Sequence, residues 1–193
     1  AVDNKNYSMS YAFSYGPFYN TGVKAIYTRE KFGIMVGVTN STDFKSAIDA
    51  GSKNKMFIGQ VSYMGDTGSA YFNVTTGSSN PATTENKTQF DFVGSKQLGE
   101  KFALGFNGTY VSSKDDYDSE LDGDWFSLVG YASYSFKPTF LLAYRFEYFD
   151  ANDANAGLGA LTGSNVIANT LSLNYKVGNL TIIPEFRIDT ASN

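Results

Sequence analysis

The chain contains no cysteine and no histidine. The first absence rules out a disulfide framework, a thiolate metal site and a thiol nucleophile. The second removes a Ser-His-Asp triad, an imidazole base and a His-ligated zinc from this chain. Tryptophan occurs once and proline four times in 193 residues. No apolar run approaches the ~18 residues of a transmembrane helix. Charge of one sign is also scarce: 19 acidic residues stand against 15 basic ones, a net charge of -4. That balance disfavours a nucleic-acid binder, whose footprint is a basic face. Ala1-Val2-Asp3 opens neither a basic n-region nor an apolar h-region. The expectation is a removed signal peptide or a start partway into a longer protein.

What is abundant is aromatic: 16 Phe and 14 Tyr. They recur with a period of two. Tyr7, Met9, Tyr11, Phe13 and Tyr15 alternate with Ser8, Ser10, Ala12 and Ser14, and Leu171, Leu173, Tyr175 and Val177 with Thr170, Ser172, Asn174 and Lys176. Strand side chains point alternately to opposite faces, so each segment has one apolar and one polar face. The spacing predicts about eleven strands: Tyr7–Tyr15, Gly22–Thr28, Phe32–Asn40, Lys55–Met64, Ser69–Thr76, Lys87–Lys96, Phe102–Ser112, Trp125–Phe136, Thr139–Phe149, Ile167–Val177 and Leu180–Thr190. Several have the roughly 9–11 residues that cross a bilayer at a tilt.

Turn chemistry sets the pairing. Gly178-Asn179 suits a two-residue hairpin that puts Val177 opposite Leu180, Tyr175 opposite Ile182 and Leu171 opposite Phe186. Asp66-Thr67 likewise sets Tyr63 against Ala70 and Val61 against Phe72. A three-residue loop Gln97-Leu98-Gly99 would bring Gly94 opposite Phe102. Pro184, mid-strand on the apolar face, must cost a ladder hydrogen bond or mark a bulge. Short turns near Glu30, Asp66, Leu98, Pro138 and Gly178 alternate with long polar connections at Ser41–Asn54, Gly77–Asn86, Ser113–Asp124 and Asp150–Asn165. Short turns at one end and long loops at the other make an up-and-down meander, as in outer-membrane barrels. Only Gly16–Asn20 is too short for its place in this series.

A soluble sandwich also alternates, but the apolar face here is bulky. Thr139–Phe149 sends Phe140, Leu142, Tyr144, Phe146 and Tyr148 one way. Eleven such faces would crowd a closed core, whereas lipid sets no volume limit and tyrosines suit its interfacial girdles. The fold class read here is all-β, a transmembrane antiparallel up-and-down β-barrel. Lipid demands closure, and single-chain bacterial barrels have even strand numbers. An odd count and the loop-like Asp189–Asn193 imply that residues 1–193 are one β-barrel domain lacking strands at the C-terminus and at the N-terminus.

Asn6-Tyr7-Ser8-Met9-Ser10-Tyr11-Ala12-Phe13, then Gly16-Pro17-Phe18-Tyr19-Asn20-Thr21-Gly22-Val23-Lys24, resembles the outer-membrane β-barrel porins of the OmpL-like type. Phe32–Asn40 and Ile183-Pro184-Glu185-Phe186-Arg187-Ile188-Asp189 resemble the same family. The resemblance covers most of the chain and implies a strand over the first of these stretches. It also implies a porin-like role in the bacterial outer membrane and brings no catalytic residues.

Candidate pore-lining groups follow from alternation: Lys24, Asp91, Arg145, Glu147, Lys176, Glu185, Arg187 and Asp189 all fall on the polar side. Mixed-sign charges near a constriction bias which ions pass. Equally, Arg145–Glu147 near Lys176, and Glu185 near Arg187, could pair across strands and merely stiffen the wall. Asp118, Glu120 and Asp122, followed by Gly123, echo the first half of a calcium-binding EF-hand loop, but the twelfth position is Val129 where a bidentate Glu is needed. A solvated acidic loop is the alternative to calcium, and no other cofactor is indicated. The tract Asp150–Gly163 could fold into the barrel or meet a partner, with a mobile external loop as the default reading. The sequons at Asn73 and Asn107 lie within strands and carry no glycan reading.

The expected activity is passive passage of small hydrophilic solutes or ions, not enzymatic; a lipid-acting barrel enzyme would lack histidine. The alternative is a non-conducting structural barrel in an envelope complex. A soluble glycan-binding β-protein is the outside case. Partners would be outer-membrane lipid, the solutes and other envelope proteins, with no nucleic acid.

Overall fold

The computed structural model describes residues 4–16, 18–41, 54–79, 84–117, 119, 122–151, 158, 161 and 163–192. One helical turn, α1 (Tyr11–Ser14), precedes eleven strands. These are β1 (Gly22–Arg29), β2 (Phe32–Thr39), β3 (Met56–Met64), β4 (Gly68–Ser78), β5 (Asn86–Leu98) and β6 (Phe102–Lys114). They continue as β7 (Gly123–Lys137), β8 (Phe140–Asp150), β9 (Asn165–Val177), β10 (Leu180–Ile182) and β11 (Glu185–Ser192). All form one antiparallel sheet in chain order, with β10 and β11 both on β9. The strands β1 and β11 do not pair with one another in this sheet.

Alternation builds the strands and the turns fix their register. Gly178, at φ 58°, opens the two-residue turn that sets Val177 on Leu180 and Tyr175 on Ile182. The same register continues through Leu171 on Phe186. Pro184 therefore interrupts no alignment. Its carbonyl accepts from the Leu173 amide at 3.0 Å, and only the reciprocal bond is lost because proline has no N–H. Thus Leu180–Thr190 is one strand in register, divided into β10 and β11 by a missing donor and without a bulge. The Asp66-Thr67 turn pairs Tyr63 with Ala70 and Val61 with Phe72, as its chemistry requires.

Two expectations are corrected. At the third turn Leu98 pairs with Phe102, so Gly94 meets Phe106 and not Phe102. Gly99, at φ 66°, takes the first loop position, which lets Gln97 and Leu98 extend the ladder. Because the shift is even, every side chain keeps its face. The larger correction is Tyr7–Tyr15, which is no strand. Asn4–Ser10 runs without sheet pairing, and Ser10 then caps α1 through a hydroxyl that accepts from the Phe13 amide. This explains the short Gly16–Asn20 link: it never had to join two neighbouring strands.

One face of the sheet, here the outer face, carries Val23, Ile34, Val36, Phe57, Val61, Phe72, Phe92, Phe106, Tyr144, Phe146, Phe186 and Ile188, all exposed. The opposite, inner face holds what is buried. Val111, Trp125, Phe149 and Val166 cluster there at the long-loop end, joined by Ala151 and Leu158. The described part of the 150–163 tract thus packs inward and is not wholly an external loop. Tyr11 and Tyr15 lay their rings against Phe149 at 5.7 and 5.6 Å, and so bring α1 onto this cluster.

Gly77 tests the backbone geometry. Its φ is 132°, and a Cβ there would stand 2.5 Å from the Lys55 carbonyl oxygen, whereas a Cβ on Gly130 meets nothing. Gly77→Ala is expected to cost about 1–3 kcal/mol and Gly130→Ala to stay within about 0.5 kcal/mol, measured by urea unfolding in detergent.

Candidate inner-face site

Register and pleat place Lys24, Asp91, Arg145, Glu147, Lys176, Glu185, Arg187 and Asp189 on the inner face. The structure divides them into three situations. Lys24, opposite Gly37, and Lys176, opposite Thr181, are exposed and stand apart from the rest.

Asp91 is the centre of a polar belt across β3 to β6. Gln60, Asn73, Asp91 and Thr109 lie directly opposite one another on successive strands. Gln60 Nε2 donates to Asn73 Oδ1 at 2.7 Å, and Asn73 Nδ2 to Asp91 Oδ2 at 2.9 Å. Thr109 Oγ1 and Asn107 Nδ2 both donate to Asp91 Oδ1, at 2.8 and 2.7 Å. The two sequon asparagines are therefore wall residues that orient one carboxylate. Alternation identified Asp91 but not its neighbours, because amide and hydroxyl side chains are read from sequence simply as the polar face.

Arg145, Glu147, Glu185, Arg187 and Asp189 are gathered by β8 and β11 on the two sides of β9. Their expected pairing is corrected. Arg145 and Glu147 form no ion pair; the bridge that does form is Arg187 Nε to Asp189 Oδ1 at 2.7 Å. The rest of the group turns to the Asn4–Ser14 segment, which lies over it. Arg145 donates to the Ser8 carbonyl at 2.6 Å, to the Ser8 hydroxyl at 3.0 Å and to the Met9 carbonyl at 3.1 Å. Arg187 Nη1 also reaches the Met9 carbonyl, at 2.9 Å. Glu185 accepts from the amides of Tyr7 and Ser8, and Glu147 from the Ala12 amide at 3.0 Å. Asn174 Nδ2 donates to the Lys5 carbonyl, and Asn6 Nδ2 to Ser172 Oγ, both at 2.8 Å.

Under this cover Arg145 and Glu147 are wholly buried. Ser8, Ser10 and Ala12 are small enough to let the segment approach the wall. Tyr11 hands its hydroxyl to Asp189 Oδ2 at 2.8 Å, with the Arg187 guanidinium 5.0 Å from its ring centre. Burial, together with the carboxylate that accepts its proton, raises the Tyr11 phenol above its ordinary value. Sequence reasoning missed this segment because its alternating pattern is the one a strand would have. The signal available was the link at Gly16, too short for a meander.

Asp118 and Glu120 of the calcium reading lie outside the described residues. Asp122 Oδ1 accepts from the Asp115 amide at 2.7 Å, closing the acidic loop on itself. Among the described residues no three carboxylates gather as metal ligands.

A sheet with a bulky apolar face, a hydrogen-bonded polar face and alternating short and long connections is the wall of a membrane barrel. The family model described as "Putative beta-barrel porin-2, OmpL-like" matches residues 1–193. The chain belongs to this β-barrel porin family. No curated protein and no solved structure matches it. The bulky apolar outer face is the one that suits a membrane-embedded barrel of this family. Phe106→Arg, at the middle of β6 on that face, is expected to cost about 2–4 kcal/mol. Ser95→Arg, on the inner face, stays within about 1 kcal/mol. Reversible unfolding from lipid vesicles compares the two.

Proposed function

We propose that the chain forms the wall of an outer-membrane pore giving passive passage to small hydrophilic solutes or ions. The observation that carries this reading is the belt Gln60–Asn73–Asp91–Thr109, a row of polar side chains held across four strands on the face opposite the apolar one. Such a row offers water and solutes hydrogen-bonding partners along a wall that would otherwise be hydrocarbon. A cavity of about 280 Å³ lies between Lys5 and Asn6 of the segment and the wall, where Gln97 and Ser133 stand beside the apolar Leu104 and Ala143, and it leaves room for a small solute. Asp91, fixed by three donors, supplies the charge that favours cations in this half of the wall.

A second reading, a non-conducting structural barrel that serves an envelope complex, draws support from the Asn4–Ser14 segment lying across the inner face. Single-channel recording in planar bilayers separates the two. Folded protein in the pore reading gives discrete current steps, and Asp91→Lys moves the reversal potential in a salt gradient toward anion preference. Silence from correctly folded protein, identified by heat-modifiable migration on a gel, overturns the pore and leaves the structural barrel.

A further inference from the structure

Among the described residues, the wall holds residues 5–9 largely through main-chain atoms, with Asn6 and the Ser8 hydroxyl adding side-chain contacts. The carbonyls of Lys5, Ser8 and Met9 accept from Asn174, Arg145 and Arg187. The amides of Tyr7 and Ser8 donate to the Glu185 carboxylate. The large side chains of this stretch point the other way: Tyr7 is 78% exposed and Met9 56%. The inner wall of β8, β9 and β11 is thus built as a reader of extended peptide backbone, filled here by the chain's own residues 5–9.

The two halves of the segment are held differently. Around α1, Tyr11 and Tyr15 stack on Phe149, and Ala12 is buried. The half before it has no such apolar anchor and rests on hydrogen bonds, most of them charge-assisted, which water can replace once the segment lifts. Beneath lie groups whose removal from water is costly unless they are paired. Arg145 is wholly buried, yet its Nε has no hydrogen-bond partner, and neither has Oε2 of the buried Glu147. No protein group completes the bonding of either charge in the covered state, and uncovering would expose both to bulk water.

We propose that residues 5–9 are a displaceable strap that narrows the pore and screens its charged wall. This rests on the pore reading and gives that pore two states. With the strap seated, passage runs past the Asp91 belt. With the strap displaced, Arg145, Glu185 and Arg187 join the lumen wall, which widens the passage and changes its charge.

The absence of native cysteine makes the test clean. In the full chain carrying Asn6→Cys and Ser172→Cys, the two thiols replace side chains whose polar atoms lie 2.8 Å apart. Oxidation locks the strap, and loss of two hydrogens by intact mass confirms the bond. Bilayer recordings are expected to show small steady steps when oxidised and openings to a larger level after reduction, reversibly. Failure of the two thiols to be bridged in folded barrel, by a disulfide or by a short bis-thiosulfonate crosslinker, overturns the seating. A disulfide that forms without any difference in conductance overturns the strap and makes the segment fixed wall.

A second measurement needs no current. Thr170→Cys places one thiol at a position the structure leaves 1% exposed. A small charged thiosulfonate reagent then reads how often the wall is uncovered. Adding Arg187→Gln removes its charge-assisted bonds to the Met9 carbonyl and the Ser8 hydroxyl and is expected to speed labelling roughly tenfold. Unchanged labelling overturns the proposal. Silence in the bilayer in both redox states overturns the pore reading alone, and labelling then decides whether the strap moves.

Discussion

The alternation of side chains along a paired strand is the constraint on which everything else in this structure depends. With a period of two and a constant register, each inward position on one strand meets an inward position on the next. The outer face becomes hydrocarbon and the inner face becomes a hydrogen-bonding surface without any side chain having to cross between them. Even the misplaced third turn kept the faces, because its shift was even. A shift of one residue would have driven Asp91 into lipid. Backbone pairing enforces this order, since an amide without a partner is too costly in hydrocarbon.

That constraint also decides what a reader of the sequence can see. Strands β1 to β9 and the joined β10–β11 were legible because each carries several alternating pairs, and glycine at 178 or Asp66-Thr67 between two glycines marks where the chain must reverse. Pro184 was legible as a lost hydrogen bond, though not whether it would also displace the register; the carbonyl bond to Leu173 shows that it does not. Asn4–Ser14 was misread for a physical reason. Small residues at 8, 10 and 12 suit a segment pressed against a wall as well as they suit one face of a strand, and nothing local separates the two.

The site was legible in part for the same reason. Parity alone put eight charged residues on one face, but a face is not a set of contacts. Arg145 and Glu147, two residues apart on one strand, invited an ion pair. The structure gives Arg145 to the carbonyls of Ser8 and Met9 and Glu147 to the Ala12 amide, partners more than 130 residues away. Only tertiary placement of the segment could supply them. The Asp91 belt needed the strand order as well, since its donors come from β4 and β6.

The grip of Arg145, Arg187, Glu185 and Asn174 on main-chain atoms has a consequence for how this protein can change over generations. A hold on carbonyls and amides is indifferent to which side chain sits at each position, so Tyr7 and Met9 are free of the fastening itself. Mutation at those two places can alter the bulk and polarity turned away from the wall while the anchorage persists. Variation of what the segment presents and preservation of how it is held are thereby assigned to different atoms of the same residues.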